Sequence, residues 1–146
     1  MGTSRCELMD WQSLELVRGH TIGRLCIIDQ GHPIAVPVNY SVSNGGADDL
    51  RFFVRTAPGT MLGRYDGPAS IEVDDIDLEN GSAWSVIARG ALHRTIDTDH
   101  LPDPAPLISE GRDRWLTMTA FAISGRRFTV SAAADGFSVD WQLAPT

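Results

Sequence analysis

The chain has no lysine: all twelve of its basic residues are arginine. This excludes a Schiff base to pyridoxal phosphate, a phosphate-loop lysine and a lysine general base. Positive charge is scarce overall, because nineteen Asp and Glu face those twelve Arg and leave a net charge of -7. Such a chain repels polyanions over long range, which argues against nucleic acid and anionic membranes as partners and favours a small-molecule ligand. Cysteine is nearly absent. Cys6 and Cys26 make no CxxC or Cys/His spacing suited to zinc and read as free thiols in a reducing compartment, Cys26 as a small core residue. His20, His32, His93 and His100 also lack metal-ligand spacing, while Asp74, Asp75 and Asp77 lack the glycine and distal glutamate of a calcium loop. There is no basic start followed by an apolar run, and no stretch near the ~18 apolar residues of a membrane span, so a cytoplasmic protein is expected.

What is present suits one soluble domain spanning residues 1–146: 42% of the residues are hydrophobic and 21% charged. Asp10 to Gly19 predicts a short helix, with Trp11, Leu14 and Val17 at helical spacing and Asp10 as its cap; Ser4 and Glu7 also have capping-box spacing and allow an earlier start. From Ile22 the period becomes two. Ile22–Asp29 reads as a strand, and Ile34, Val36, Val38, Tyr40 and Val42 share one face of the next. A third strand over Leu50–Thr56 points Leu50, Phe52 and Val54 inward. Thr60 to Tyr65 predicts a short capped helix; Ala69–Asp74 and Ala83–His93 predict strands joined by an acidic turn. Asp97 to Arg114 reads as loop and then helix, Trp115–Ile123 and Phe128–Ser131 as two strands around Ser124-Gly125-Arg126. Many short alternating strands with brief helices favour a mainly β, antiparallel barrel over a sandwich.

Two segments carry candidate chemistry. Arg55-Thr56-Ala57-Pro58-Gly59-Thr60 takes a strand ending in arginine through a Pro-Gly turn into a helix N-terminus. A guanidinium, two hydroxyls and free helix N–H groups suit a phosphate, although Arg55 paired to an acidic neighbour and Thr60 as a simple cap fit the same residues. The second segment is Pro37-Val38-Asn39-Tyr40. Proline cannot donate to a ladder, so the strand has an edge, a bulge or a ligand there, and the Asn39 amide offers both donor and acceptor to a planar imide-like ring. Trp11, Trp84, Trp115 and Trp141 read as core or interface anchors.

Gly23-Arg24-Leu25, Pro37-Val38-Asn39-Tyr40, Arg55-Thr56 with Gly59-Thr60, Glu72-Val73-Asp74, Trp84-Ser85-Val86 and Gly125-Arg126-Arg127, in this order, resemble the pyridoxamine 5'-phosphate oxidase-like flavoproteins, in the small branch near the nitroimidazole-reductase group. The likeness covers residues 8–130 and leaves 131–146 as a C-terminal tail. It implies a split, Greek-key antiparallel β-barrel that works as a homodimer and an FMN-dependent oxidoreductase, the flavin itself exchanging hydride with a small substrate. By position, Pro37, Val38, Asn39 and Tyr40 would run beside the isoalloxazine. Arg55, Thr56, Gly59 and Thr60 would hold the phosphate, and Trp84 and Ser85 would lie near the ring edge, from either subunit. Relatives place lysine after the Gly-Thr pair, where this chain has Met61. That removes one charge-assisted contact, and leaves a deazaflavin-dependent reductase, or a flavin- or tetrapyrrole-binding module without turnover, as the alternatives.

Overall fold

The computed structural model describes residues 5–105, 111, 113–129, 131–133 and 136–138, so Trp141 and much of the tail lie outside the described residues. Asp10–Arg18 forms α1, burying Leu14 and Val17 as their spacing requires. Its cap is Met9 rather than Asp10, and the Gln12 side chain accepts a hydrogen bond from the Met9 N–H at 2.8 Å. The strands are β1 (Arg5–Leu8), β2 (Ile22–Asp29), β3 (His32–Asn39), β4 (Ser41–Val42), β5 (Arg51–Thr56), β6 (Gly67–Asp77), β7 (Ser82–Arg94) and β8 (Arg114–Thr129), with a small hairpin of β9 (Ser131–Ala133) and β10 (Gly136–Ser138).

One antiparallel sheet runs in the order β3-β2-β6-β7-β8-β5-β4, with β1 added to β8. Its two end strands, β3 and β4, are separated in the chain by Tyr40 alone. A sheet whose opposite edges are joined by one residue must curl on itself, which gives the barrel and leaves its split between β3 and β4. Leu25, Ile27, Phe52, Ile71, Val86, Leu92, Leu116 and Met118 fill the interior at 2% exposure or less. Tyr40 closes the seam. Its N–H donates to Thr21 O at 2.9 Å, and its buried hydroxyl donates to Val17 O at 2.6 Å, near the C-terminal end of α1. Tyr40→Phe would leave a buried carbonyl short of its best donor, and chemical denaturation should show a loss of about 1 kcal/mol.

Four expectations change. The strand foreseen from Ile34 to Ser43 breaks at Tyr40 into β3 and β4, because the chain crosses from one sheet edge to the other there. The helix foreseen over Thr60–Tyr65 is a 3-10 turn at Leu62–Arg64. The two strands foreseen around Ser124-Gly125-Arg126 are one, β8. Glycine at 125 answers not a turn but the approach of α1: a Cβ there would run into Ser13 Oγ and lie 3.1 Å from Leu8 Cδ1. Residues 5–8, read as a possible helix start, pair with β8 instead. Of the segment foreseen as loop and helix, residues 97–105 have no regular structure and 106–110 lie outside the described residues.

Candidate functional site

β3 is an end strand of the sheet, and Pro37 sits on it opposite Arg24 of β2. The proline is exposed, Val38 turns into the core, and Asn39 is half-buried at the split. The Tyr40 ring points inward, so only its backbone stands at this margin.

The second group lies at the end of β5. Strand alternation divides it: Phe52, Val54 and Thr56 face the core, whereas Arg55 shares the opposite face with Trp115, its register partner on β8. The Thr60 hydroxyl holds the corner together. It lies 3.1 Å from Thr56 Oγ1, donates to Ala57 O at 2.7 Å and accepts the Gly63 N–H at 3.0 Å. Gly59 is exposed with open space around it, and Met61 packs half-buried against the core. Arg64 is exposed. Arg114, opposite Thr56, donates from Nη1 to Gly63 O at 3.0 Å and braces the corner from β8.

Residues 95–105 then cross the outside of the barrel like a strap. Thr95 N–H donates to Trp115 O at 2.9 Å on β8; Ser41 of β4 donates to Pro102 O at 2.5 Å; Asn39 Nδ2 donates to Ala105 O at 3.4 Å. Between these anchors Arg55 Nη1 lies 3.2 Å from both carboxylate oxygens of Asp103. The guanidinium is also 5.7 Å from the centroid of the Trp115 ring. The Ala105 N–H and then Arg55 hold the Asp103 carboxyl below its ordinary value, so it is an anion at neutral pH. Of the two readings open for Arg55, the acidic neighbour is the one seen within the chain.

Beside the strap lies a cleft of ≈390 Å³ lined by Arg18, His20, Ser41, Asn44, Asp103 and Pro104. A neighbouring cleft of ≈430 Å³ shares His20 and Thr21 and is lined further by Gly23, Arg24, Pro37, Asp74 and Asp75. His20 therefore stands between the two. Its Nδ1 lies 2.7 Å from Leu16 O, which makes that nitrogen the donor, and its ring meets Trp84 edge-on at 4.7 Å. Trp84 and Ser85 pair with Arg127 and Arg126, at the far end of β8 from Trp115. One chain thus brings Asn39, Ser41, Asp103 and Arg55 together and Pro37 near His20 and Trp84, but keeps Trp84 and Ser85 away from Arg55. No group of three or more metal-ligating side chains occurs among the described residues, and none of their helices is long and apolar enough to cross a membrane.

Sequence reasoning missed His20, Ser41, Asp103, Arg114 and Trp115. It also missed the outer-face triad in which Arg24 Nη1 lies 3.3 Å from Glu72 Oε2 and 2.9 Å from Asp74 Oδ2. Burial and the neighbouring Asp74 push the Glu72 carboxyl up to about 7, against the pull of Arg24.

Residues 10–127 match the pyridoxamine 5'-phosphate oxidase family. Among solved structures, an FAD-binding protein from Mycobacterium smegmatis is 25% identical, with 85% of this chain and 98% of that chain covered and a TM-score of 0.66. A Corynebacterium glutamicum protein provisionally named a pyridoxamine 5'-phosphate oxidase is 23% identical, with 91% and 99% covered and a TM-score of 0.74. An FAD-binding protein from Mesorhizobium loti is 19% identical, with 88% and 99% covered and a TM-score of 0.69. No curated protein matches the chain.

Proposed function

Since the chain belongs to the pyridoxamine 5'-phosphate oxidase family, whose match spans residues 10–127, we propose that it is a small flavin-dependent oxidoreductase. The observation that carries this reading is the state of Arg55: a guanidinium with 19% of its side chain exposed, lying against Trp115 and already engaged by both oxygens of an anion. A seat that takes a carboxylate takes a phosphate by the same charge-assisted bonds. The residues around it fit the rest of a flavin nucleotide. Asn39 brings an amide to the sheet margin beside the strap, Gly59 leaves bare backbone at the corner, and clefts of ≈390 and ≈430 Å³ lie nearby, within the size range of ligand pockets.

When bound, the flavin supplies the hydride chemistry. The chain's own work is to bind and orient. Arg55 and the Gly59–Thr60 corner hold the phosphate, the Pro37–Tyr40 backbone and the Asn39 amide flank the ring, and Met61 contributes apolar packing where a cation would add affinity. FMN is the cofactor of this reading; FAD, as in the Mycobacterium smegmatis relative, would bring a pyrophosphate to the same seat. Two copies complete the site, joined through the outer face of β2, β6, β7 and β8, where Ile28, Ile87 and Phe121 are exposed, so that Trp84 and Ser85 of the second copy reach the ring.

Titration of the purified protein should quench flavin fluorescence at saturable stoichiometry, and NADH or NADPH should bleach the bound flavin. Retention without bleaching would make the protein a binding module, and no retention of FMN, FAD or riboflavin would end the reading. Arg55→Ala should weaken FMN by roughly ten- to a hundredfold while leaving riboflavin, which lacks the phosphate, nearly unchanged. Equal losses would make Arg55 structural. Met61→Lys should tighten FMN, and sedimentation at micromolar concentration should show a dimer.

A further inference from the structure

We propose that Asp103 is a specificity-determining residue, an internal stand-in for the ligand's phosphate that occupies Arg55 and sets how strongly the site prefers a phosphorylated flavin. The inference rests on the flavin reading above and adds to it the residue that the phosphate must displace.

Three observations carry it. The first is position: both Asp103 oxygens lie 3.2 Å from Arg55 Nη1, so a phosphate at this guanidinium competes with Asp103 for that nitrogen and its charge. The second is the way the strap is built around this contact. Ser41 and Asn39 donate to the carbonyls of Pro102 and Ala105 on either side of Asp103, Pro104 between them is buried, and Ala105 is held at φ 46°, a conformation that alanine rarely adopts. Asp103 Oδ1 accepts the Ala105 N–H at 2.9 Å, which fixes the carboxylate toward Arg55. The third is the surrounding charge. With Met61 turned to the core, Arg114 spent on Gly63 O and Arg18 on Ser43 O, Arg55 is a cation that Asp103 of the strap pairs with directly.

A phosphate therefore gains from Arg55 only what exceeds the Asp103 contact. Asp103 is itself 58% exposed, so the contact is modest and can be broken. A flavin without phosphate does not compete with it. The strap thus lowers affinity for FMN and leaves affinity for riboflavin as it is.

The test uses the full chain and two neutral variants. Asp103→Asn and Asp103→Ser both keep an acceptor for the Ala105 N–H, and either serves if the other fails to fold. Kd is measured for FMN and riboflavin, and inorganic phosphate is followed by its effect on thermal unfolding. Both variants should bind FMN about tenfold more tightly than the parent with riboflavin unchanged, and phosphate should stabilise them but not the parent. An unchanged FMN-to-riboflavin ratio, or a fall in it, overturns the role of Asp103 while flavin binding stands. Should parent and variants all ignore flavins while the variants gain phosphate binding, Asp103 still masks an anion seat at Arg55, but the flavin reading falls and the flavin preference assigned to Asp103 falls with it.

Discussion

Gly90→Ala is expected to cost more than about 4 kcal/mol, at the extreme end of single substitutions and enough to unfold much of a chain whose total stability is of order 5–15 kcal/mol. Gly90 is buried on β7 at the point where the register with β8 jumps from Arg89↔Ala122 to Gly90↔Ala120. A Cβ there would collide with the Thr119 carbonyl oxygen and stand 2.7 Å from its carbon and 2.8 Å from Ala120 Cα. All of these are backbone atoms, so no rotamer change relieves the contact. Nor can β8 retreat, because Thr119 pairs with Arg51 of β5 and the Ala120 N–H donates to Leu50 O at 2.9 Å. The jump leaves Phe121 unpaired in the ladder and 80% exposed, over an apolar groove with Ile28, Pro33 and Pro68. The residue that permits the bulge thus also builds the outer face assigned above to dimer contact. Urea unfolding of Gly90→Ala beside Arg89→Ala, an exposed neighbour expected to change stability by under about 0.5 kcal/mol, measures the effect. A cooperative transition within 1 kcal/mol of the parent would show that the sheet gives way more easily than its two-sided pairing suggests.

Local pattern carried the parts of the fold that depend on one strand at a time. β2 begins and ends where period and turn chemistry place it, and Val38, Tyr40, Phe52 and Val54 face inward as their alternation requires. What stayed illegible depends on partners distant in the chain. Gly125 looks like a turn until α1 is laid across β8, and Tyr40 looks like one more strand residue until the two sheet edges meet at it. The site follows the same rule. Arg55 and the Thr60 hydroxyl stand out locally, but only Thr60 ties the corner together, while Arg55 turns to Asp103 and Trp115. Period two already sends Arg55 and Thr56 to opposite faces, a consequence the motif reading passed over by giving both to one phosphate. Asp103 was out of reach because it meets Arg55 across 48 residues of chain through a segment with no periodicity.

Replacing Glu72 by glutamine should abolish a loss of stability that the parent shows as pH rises from about 4.5 to 7. Glu72 and Asp74 are two apart on β6 and share the outer face, where Arg24 of β2 reaches both. One arginine cannot serve two carboxylates fully, and Glu72 Oε1 is buried without a partner. Burial first, then Asp74, raises the Glu72 carboxyl from 4.5 to about 7 in the folded chain. Between those values the folded state holds a proton that the unfolded state has released, so the stabilisation is complete below about 4.5, declines with rising pH and is gone above 7. Glutamine mimics the protonated acid: its amide donates to Asp74 and its oxygen accepts from Arg24. At pH 8 Glu72→Gln should therefore be more stable than the parent by roughly 2–3 kcal/mol, and at pH 4.5 nearly equal to it. Denaturant midpoints across this range decide the matter. A gap that stays constant with pH would mean that Glu72 ionises normally and that the Arg24 fork satisfies both acids. Because Arg24 and Asp74 also line the ≈430 Å³ cleft beside Pro37, the same proton sets the charge at that cleft. Glu72→Gln should consequently remove the share of any pH dependence of ligand affinity that comes from Glu72, leaving that of His20, which lines the same cleft.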